Sequence, residues 1–239
     1  MSKLLTVMPT RGILFTKAVE AWEREIADNG LTASVLRTDG VPLPDSRNLL
    51  VEAALELPDW RFLLFLDDDV VLPEGAVKAM TDTLTKGEGI DVAVIDYPHH
   101  STPFSGERLG VATYEDWKPG DPVEGKRLAW AGLGCVMVKR RIFDRLEKPW
   151  FVNTAHRYAR GTDGRLMMDG ASRQAFGASS GEDVHFFFQC RKHGIKAAVI
   201  PGMVAGHCRI ERFVYRLAGG KYSQSHGIEV NDRIDRPGV

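Results

Sequence analysis

The sequence lacks the features of a membrane-spanning, secreted or disulfide-stabilised protein. No apolar run approaches the roughly 18 residues that a membrane-spanning helix requires. The first residues show no basic segment followed by an apolar signal core. Only three of the 239 residues are cysteine, Cys135, Cys190 and Cys208, and their odd number and unrelated spacings favour reduced thiols. We therefore expect a cytoplasmic globular protein, long enough for one large domain or two small ones.

Neither sign of charge is in excess over the whole chain, which has a formal net charge of −1, but its two halves differ. Residues 1–120 contain 11 Lys and Arg against 20 Asp and Glu, whereas residues 121–239 contain 20 against 12. An acidic half can supply metal-binding carboxylates, and a basic half can attract an anionic partner. Solvated faces of opposite sign would produce the same asymmetry.

The first hundred residues alternate between patterns typical of strands and of helices. The predicted strands cover residues 4–8, 34–36, 62–66 and 92–95. The predicted helices cover residues 16–29, a segment that Asp45 or Ser46 caps at its start, and residues 73–84. This succession favours an α/β fold with a mostly parallel central sheet flanked by helices. In such sheets, ligands bind at the C-terminal ends of the strands.

After Asp96 the alternation stops, and a smaller mixed region is expected. A loop-rich stretch over 97–127 precedes a predicted strand over 129–139 that Gly132 and Gly134 interrupt, and then a short helix over 141–146. A Gly- and Ser-rich loop covers 154–180. A helix is predicted from Gly181 to about Lys192, followed by a strand over 197–200.

Three consecutive aspartates, Asp67, Asp68 and Asp69, follow the most apolar of the predicted strands. Adjacent carboxylates at the end of a buried strand repel one another unless a cation neutralises them, which points to a divalent metal ion. Side chains at i and i+2 face the same side of a strand end, so Asp67 and Asp69 are candidate metal ligands, while Asp68 faces elsewhere or reaches a ribose hydroxyl. A surface turn with capping aspartates is the alternative interpretation.

Glu182 and Asp183 open a predicted helix directly after the long loop. Acidic side chains are favoured at a helix N-terminus, so simple capping explains one of them. Two consecutive carboxylates also suit a general base that removes a proton from an acceptor hydroxyl, with the second group binding that acceptor. Capping and catalysis both remain open from this motif alone.

His207 follows the last predicted strand and could fold back towards the sheet. There it would complete a metal site begun by the carboxylates, and mixed nitrogen and oxygen ligation favours Mn²⁺ over Mg²⁺. A structural histidine is the ordinary alternative. A zinc site built from Cys190, His193, His207 and Cys208 matches no closed Cys/His spacing closely.

Two arginines and one aspartate lie near the ends of the first strands and the start of the second helix. Arg11 follows the first strand, and Arg47 is expected in the first turn of the second helix, where a guanidinium and free N–H groups suit a diphosphate. Pairing with a nearby carboxylate is the alternative role of either arginine. Asp39 lies beyond the second predicted strand, where it would hydrogen-bond a base or ribose if a nucleotide lies across the sheet edge.

With these motifs assembled, the chain resembles the GT-A glycosyltransferases, especially the family-two-like and Anp-like sugar-nucleotide transferases. The resemblance spans nearly the whole chain, and its order and spacing are more specific than any one motif. It is carried by Met8-Pro9-Thr10-Arg11, Ser46-Arg47-Asn48, the DxD-like Asp67-Asp68-Asp69 with Pro73 after it, the glycine-containing segment Trp130 to Arg140, Gly181-Glu182-Asp183, and His207.

The resemblance implies a GT-A, Rossmann-like sheet that binds a nucleotide sugar, such as a UDP- or GDP-sugar, in the first half of the chain. The residues it implies for donor binding are Pro9, Thr10, Arg11, Asp39, Arg47, Asp67 and Asp68. It further implies a Mn²⁺ or Mg²⁺ ion on Asp67, Asp69 and His207, which bridges the diphosphate and stabilises the leaving group. If the reaction inverts, Asp183 is the base; a retaining mechanism stays open.

On this interpretation residues 1–120 are the nucleotide-sugar-binding half, residues 121–215 the acceptor-side half of the same domain, and residues 216–239 a basic C-terminal tail. Trp130, Gly132 and Glu182 would bind the acceptor hydroxyl compound, although Trp130 is equally typical of a core aromatic. The basic second half suits an anionic acceptor: a glycan, a lipid phosphate or a modified DNA base. Arg157, Tyr158, Arg160 and Arg165 interleave positive charge with an aromatic ring.

Two other functions remain open at this stage. The segment from Phe65 to Val70 also resembles the nucleophile motif of haloacid-dehalogenase-like phosphatases, in which Asp67 would be phosphorylated, although that motif normally lies on the first strand. The second alternative is a non-catalytic nucleotide-binding module that keeps the donor site. Retention of both acidic motifs argues against the module.

Overall fold

The structure, a computed structural model, describes residues 3–10, 14–29, 33–98, 111–115, 127–153, 158–160, 166–168, 181–216 and 222–231. Arg11 and most of the predicted loop over 154–180 lie outside these residues. So do Arg157 and Arg165, and the side chains of Tyr158 and Arg160 are not described.

In chain order, the described helices are α1 Thr16–Asp28, α2 Leu43–Glu56, α3 Ala76–Lys86 and α4 Glu182–Lys192. The described strands are β1 Lys3–Thr10, β2 Ala33–Asp39, β3 Trp60–Leu66, β4 Val70–Val71, β5 Ile90–Asp96, β6 Thr113–Tyr114, β7 Leu128–Trp130, β8 Cys135–Lys139, β9 Tyr158–Arg160, β10 Leu166–Met168, β11 Lys196–Val204, β12 Gly206–Arg216 and β13 Tyr222–Asn231.

The central sheet has six strands in the order β11-β5-β8-β3-β1-β2. The pairs β1 with β2, β1 with β3, and β5 with β11 are parallel. β8 runs antiparallel to both of its neighbours, β3 and β5. The predicted α/β class with a mostly parallel sheet flanked by helices is therefore confirmed, and β8 brings the second half of the chain into the middle of the sheet.

Both faces of the sheet are buried, as the continuous apolar run of β3 predicts. Leu63 and Phe65 point into one core, where α2 and α4 pack. Leu64 and Leu66 point into the other, which α1 and α3 cover. Because side chains alternate along a strand, one apolar segment can fill two cores.

Two helices begin at other residues than the sequence patterns predict. α2 begins at Leu43, so Asp45 and Ser46 lie inside the helix and neither is its cap. The earlier start is possible because Pro44 fits the first turn of a helix, where its missing N–H costs no hydrogen bond. α3 begins at Ala76 after Gly75, whose φ of 76° lies in the left-handed region that glycine tolerates. The buried carboxylate of Glu25 in α1 accepts hydrogen bonds from the N–H groups of Gly75 and Val77, and so caps α3 from a distance.

The second half of the chain differs more from its prediction. The expected strand over 129–139 divides into β7 and β8 around the turn that contains Gly132 and Gly134. A 3₁₀ turn over Arg140–Ile142 replaces the predicted short helix. Residues expected in a basic tail form β13, which pairs antiparallel with β12. The start of β12 also pairs with β4, next to the three aspartates.

All three cysteines are buried and free, in agreement with the expectation of reduced thiols. Of the described helices, none has the length and the apolar character that crossing a membrane would require.

Candidate active site

The three aspartates form a turn between β3 and β4 at the C-terminal edge of the sheet. The backbone N–H of Asp67 donates to the carbonyl of Gly134 at 3.0 Å. The carbonyl of Asp68 accepts from Phe15 N–H at 3.3 Å, and that of Asp69 from Cys208 N–H at 2.7 Å. Three separate segments therefore fix the position of this turn, which places the carboxylates more firmly than an ordinary surface loop would.

Arg47 joins the two acidic motifs of the chain. Its side chain is only 3% exposed. The guanidinium Nη2 donates to Asp67 Oδ1 at 2.8 Å, and Nη1 donates to Glu182 Oε1. Burial lowers the pKa of Arg47, but the charges of Asp67 and Glu182 more than offset this, so its pKa is raised and the group stays a cation.

The expectation that Arg47 lies in the first helical turn is wrong. α2 begins four residues earlier, at Leu43, so Arg47 belongs to the second turn and does not share the free N–H groups of the helix start. Its guanidinium pairs with carboxylates, which was the alternative role considered for it. Burial raises the pKa of Asp67 by more than the neighbouring Arg47 lowers it.

Glu182 and Asp183 form the first turn of α4, as predicted. Asp183 Oδ1 accepts a hydrogen bond from Val184 N–H at 2.7 Å, so the capping interpretation holds for this residue. Burial, together with the charge of Glu182, raises the pKa of Asp183 to about 6. A Cβ on Gly181 would lie 2.6 Å from this carboxylate oxygen, so a glycine is needed there for Asp183 to take up this position.

His207 does fold back to the aspartate turn. Its Nδ1 lies 2.7 Å from the carbonyl oxygen of Pro98, and its Nε2 lies 3.4 Å from Asp69 Oδ2. The Tyr97 ring packs edge-on against the imidazole, with the ring centroids 5.1 Å apart. Burial lowers the pKa of His207, but the hydrogen bond and charge of Asp69 raise it by more, so the net shift is upwards.

Part of the predicted metal site fits a metal ion. A carbonyl oxygen only accepts hydrogen bonds, so Pro98 directs the N–H of the neutral imidazole to Nδ1 and leaves the Nε2 lone pair facing Asp69. Metal-binding histidines usually have such a partner on the other ring nitrogen. Asp69 and His207 together offer the oxygen and nitrogen donors that Mn²⁺ accepts. Within the described residues, however, no group of three or more His, Cys, Asp or Glu side chains forms a complete metal site.

Tyr97 is a site residue that the sequence patterns did not single out. It follows the C-terminal end of β5, as Asp67 follows β3, so its position after a strand was the signal that could have identified it. Its Oη accepts from Gly134 N–H at 3.1 Å. A Cβ on Gly134 would lie 2.7 Å from Tyr97 Oη and 2.8 Å from Asp67 Oδ2, so only glycine fits between these groups. Gly132 is buried against the same ring.

The remaining predicted residues lie outside this cluster of contacts. Pro9 is buried and Thr10 half-buried at the end of β1, and Asp39 is exposed beside Thr10 at the end of β2. Trp130 is half-buried in β7 and packs against the core that α2 and α4 cover. The structure thus brings Arg47 together with both acidic motifs, while Asp39 is separated from them by β1.

The comparison with solved structures finds several similar chains. The chain is similar to A197 from STIV, with 19% identity and a TM-score of 0.59 over 99% of this chain and 98% of that one. It is similar to a glycosyltransferase involved in the glycosylation of the major capsid of PBCV-1, with 12% identity and a TM-score of 0.40 over 82% of this chain and 80% of that one. It is also similar to GalNAc-T7, crystallised with UDP, GalNAc and Mn²⁺, with 15% identity and a TM-score of 0.48 over 91% of this chain and 45% of that one.

No protein-family model and no curated protein matches the sequence. The similarity to A197 shows an α/β fold shared over nearly the full length of both chains.

Proposed function

We propose that the protein is a metal-dependent glycosyltransferase that moves a sugar from a UDP- or GDP-sugar to an acceptor hydroxyl. The observation that carries this proposal is the guanidinium of Arg47, which contacts Asp67 and Glu182 at once. Donor and acceptor must lie side by side for transfer. A buried cation shared by the two acidic motifs supports such an arrangement at the C-terminal edge of the sheet, where α/β proteins bind ligands.

The proposed donor side is the edge formed by β1, β2 and the aspartate turn. Asp69 and His207 would hold Mn²⁺ or Mg²⁺. Asp67 lies in the same turn and pairs with Arg47. When bound, such an ion acts as a Lewis acid that stabilises charge on a diphosphate leaving group. Asp68 and Asp39 are assigned to the nucleoside. Pro9, Thr10 and Arg11 are assigned to donor binding as well.

Asp183 is the proposed general base. A carboxyl group with a pKa of about 6 is mostly ionised at neutral pH, yet it is a stronger base than an ordinary aspartate. It can therefore accept the proton of the acceptor hydroxyl as the new glycosidic bond forms. Glu182 is held by Arg47 and would orient the acceptor, together with Trp130 and Gly132.

The acceptor is proposed to be anionic, because the second half of the chain has an excess of Lys and Arg. A phosphorylated glycan, a lipid phosphate and a modified base within DNA, whose backbone phosphates carry the charge, all fit that requirement. We assign residues 1–120 to donor binding, residues 121–215 to the acceptor side and residues 216–239 to the basic C-terminal segment, in a cytoplasmic protein.

A thermal-shift panel of UDP, GDP, CMP and dTDP, each with and without Mn²⁺, tests this function. A ligand that binds only the native state raises the melting temperature, so one diphosphate should do so in a metal-dependent way. Asp69→Asn should abolish the shift. The matched control is Asp82→Asn on the exposed face of α3, where the carboxylate pairs only with Lys78 and Lys86 among the described residues.

Two results would contradict the proposal. One is the absence of a shift with every nucleotide. The other is a covalent-like adduct of beryllium fluoride on Asp67, which would favour the phosphatase alternative.

A further inference from the structure

A cavity lies at the edge of the sheet opposite the candidate active site, where the parallel strands begin. Its volume is about 470 Å³, which is within the range of small-molecule sites. It opens where β5 and β11 begin and where the C-terminal half of α4 faces β7. Its apolar wall includes Ile90, Leu128 and Phe187. Three cationic residues also line it, Arg127, Arg191 and Lys196.

The charged side chains among the described lining residues are all cationic. None of the described residues that line it is acidic. Arg191 is held in place because its Nη1 donates to the Ala129 carbonyl at 2.5 Å. Arg127 approaches Glu115 only to 3.9 Å, and Lys196 forms no ion pair with any described residue. An anion entering the cavity would therefore meet cations that are incompletely neutralised.

A neighbouring cluster increases this positive charge. Asp91, beside Ile90 at the start of β5, is surrounded by Lys139 at 3.3 Å, Arg141 at 2.5 Å and Arg145 at 3.9 Å. One buried carboxylate cannot neutralise three cations. The cavity and this cluster thus lie next to each other at the same edge of the sheet.

The walls between the cations are apolar and chemically inert. Cys190 contributes to them, and this residue is only 1% exposed. Burial strongly raises the pKa of its thiol, so it remains protonated and is a poor nucleophile. Among the described lining residues there is no carboxylate or imidazole to act as a base, which favours binding over catalysis.

We propose that this cavity binds a small amphipathic anion, with a carboxylate or phosphate headgroup on an aliphatic or aromatic body. The headgroup would contact Lys196, Arg127 and Arg191, and the body would lie against Ile90, Leu128 and Phe187. The site is separate from the candidate active site, since the two lie at opposite ends of α4. This inference therefore does not depend on the proposed function.

Isothermal titration calorimetry of the full chain with simple probes tests the proposal. Octanoate and octyl phosphate each have a headgroup and an apolar body, acetate and inorganic phosphate have only the headgroup, and octanol has only the body. We expect a single site for octanoate or octyl phosphate, and weaker binding of the other three. The stronger of the two amphiphiles identifies the headgroup. Equal binding of octanol and octanoate would overturn the proposal, as would no binding of either amphiphile.

A pair of variants locates the site. In Lys196→Gln/Arg127→Gln both exposed lining cations become neutral. We expect binding of the amphiphile to weaken about tenfold, since exposed ion pairs make only a modest contribution. The control is Lys192→Gln/Lys86→Gln, which removes the same charge from surface lysines outside the lining. If the two double variants bind octanoate and octyl phosphate equally, the assigned cavity is wrong. Unchanged melting temperatures establish that each variant is folded.

Discussion

The two edges of the central sheet have opposite arrangements of charge. At the C-terminal edge, the buried cation Arg47 lies among the carboxylates of Asp67 and Glu182, with Asp69 and Asp183 nearby. At the N-terminal edge, the buried carboxylate of Asp91 lies among three cations. In each cluster, one central charged side chain pairs with two or three side chains of the opposite charge.

This difference shows what each edge is able to bind. A surplus of carboxylates favours a metal ion, whereas a surplus of cations favours an anion. In an ordinary ion pair the two charges balance, and no further ion is required. These two clusters differ because one sign of charge is in excess in each. The acidic first half and basic second half of the sequence are thus reflected in space, although β8 and α4 carry residues of the second half to both edges.

The largest expected effect is on catalysis at the acidic edge. Asp183→Asn removes the proposed base while keeping the shape of the side chain, and we expect kcat of sugar transfer to fall by about a thousandfold. Release of the nucleoside diphosphate is the measurement. The control is Asp144→Asn, which should leave kcat unchanged. Asp144 is exposed, follows the 3₁₀ turn and lies at the opposite edge of the sheet from Asp183. Full activity of Asp183→Asn would exclude Asp183 as the base.

Removal of the shared cation should destabilise the acidic edge. Arg47→Met leaves Asp67 and Glu182 facing each other without a counter-charge, and we expect a loss of about 3 kcal/mol in the free energy of unfolding. Urea denaturation measures this loss. Arg37→Met on the exposed face of β2 should change the stability by less than about 0.5 kcal/mol. Equal effects of both substitutions would show that Arg47 makes no special contribution.

The matching experiment at the basic edge removes its shared carboxylate. Asp91→Asn leaves Lys139, Arg141 and Arg145 without their common partner, and a loss of about 2 kcal/mol is expected from charge-assisted hydrogen bonds. Sulfate should then stabilise the variant more than the unsubstituted protein, because an anion can replace the missing charge. An identical response of both proteins to sulfate would contradict the proposed surplus of cations.

The smallest effect concerns the pH dependence of transfer. Asp183 accepts a proton only when it is ionised, and its pKa is raised to about 6, so activity should be present above that pH and lost as the pH falls through it. We expect kcat/KM to decrease about tenfold between pH 7 and pH 5. In Asp183→Asn the residual rate should be independent of pH over this range. A flat profile in the unsubstituted protein would assign the base to another group.

Local patterns in the sequence were enough to predict much of the fold. The alternation of apolar segments correctly indicated β1, β2, β3 and β5 and the helices between them, because each segment must bury its own apolar face. Gly181 and the acidic pair after it correctly indicated the start of α4. The boundaries of α2 and α3 were wrong because Pro44 and Gly75 affect the first turn of a helix more strongly than the apolar pattern does.

The candidate site was only partly predictable. The aspartate turn was expected at the edge where the parallel strands end, and His207 was expected to fold back towards it. The position of Tyr97 was missed, because a tyrosine after a strand is common in ordinary cores. The contact between Arg47 and Glu182 could not be inferred either, since it joins residues 135 positions apart.

Short-range sequence patterns specify the local structure of this protein: which segments form strands, which faces are apolar and where the carboxylates cluster. These properties depend on neighbouring residues and on the periodicity of a helix or strand. Folding in three dimensions was needed to bring β8 into the sheet between β3 and β5, to pair Arg47 with both acidic motifs and to surround Asp91 with three cations. Such contacts join distant parts of the chain, and their energy depends on burial, which the order of residues does not specify.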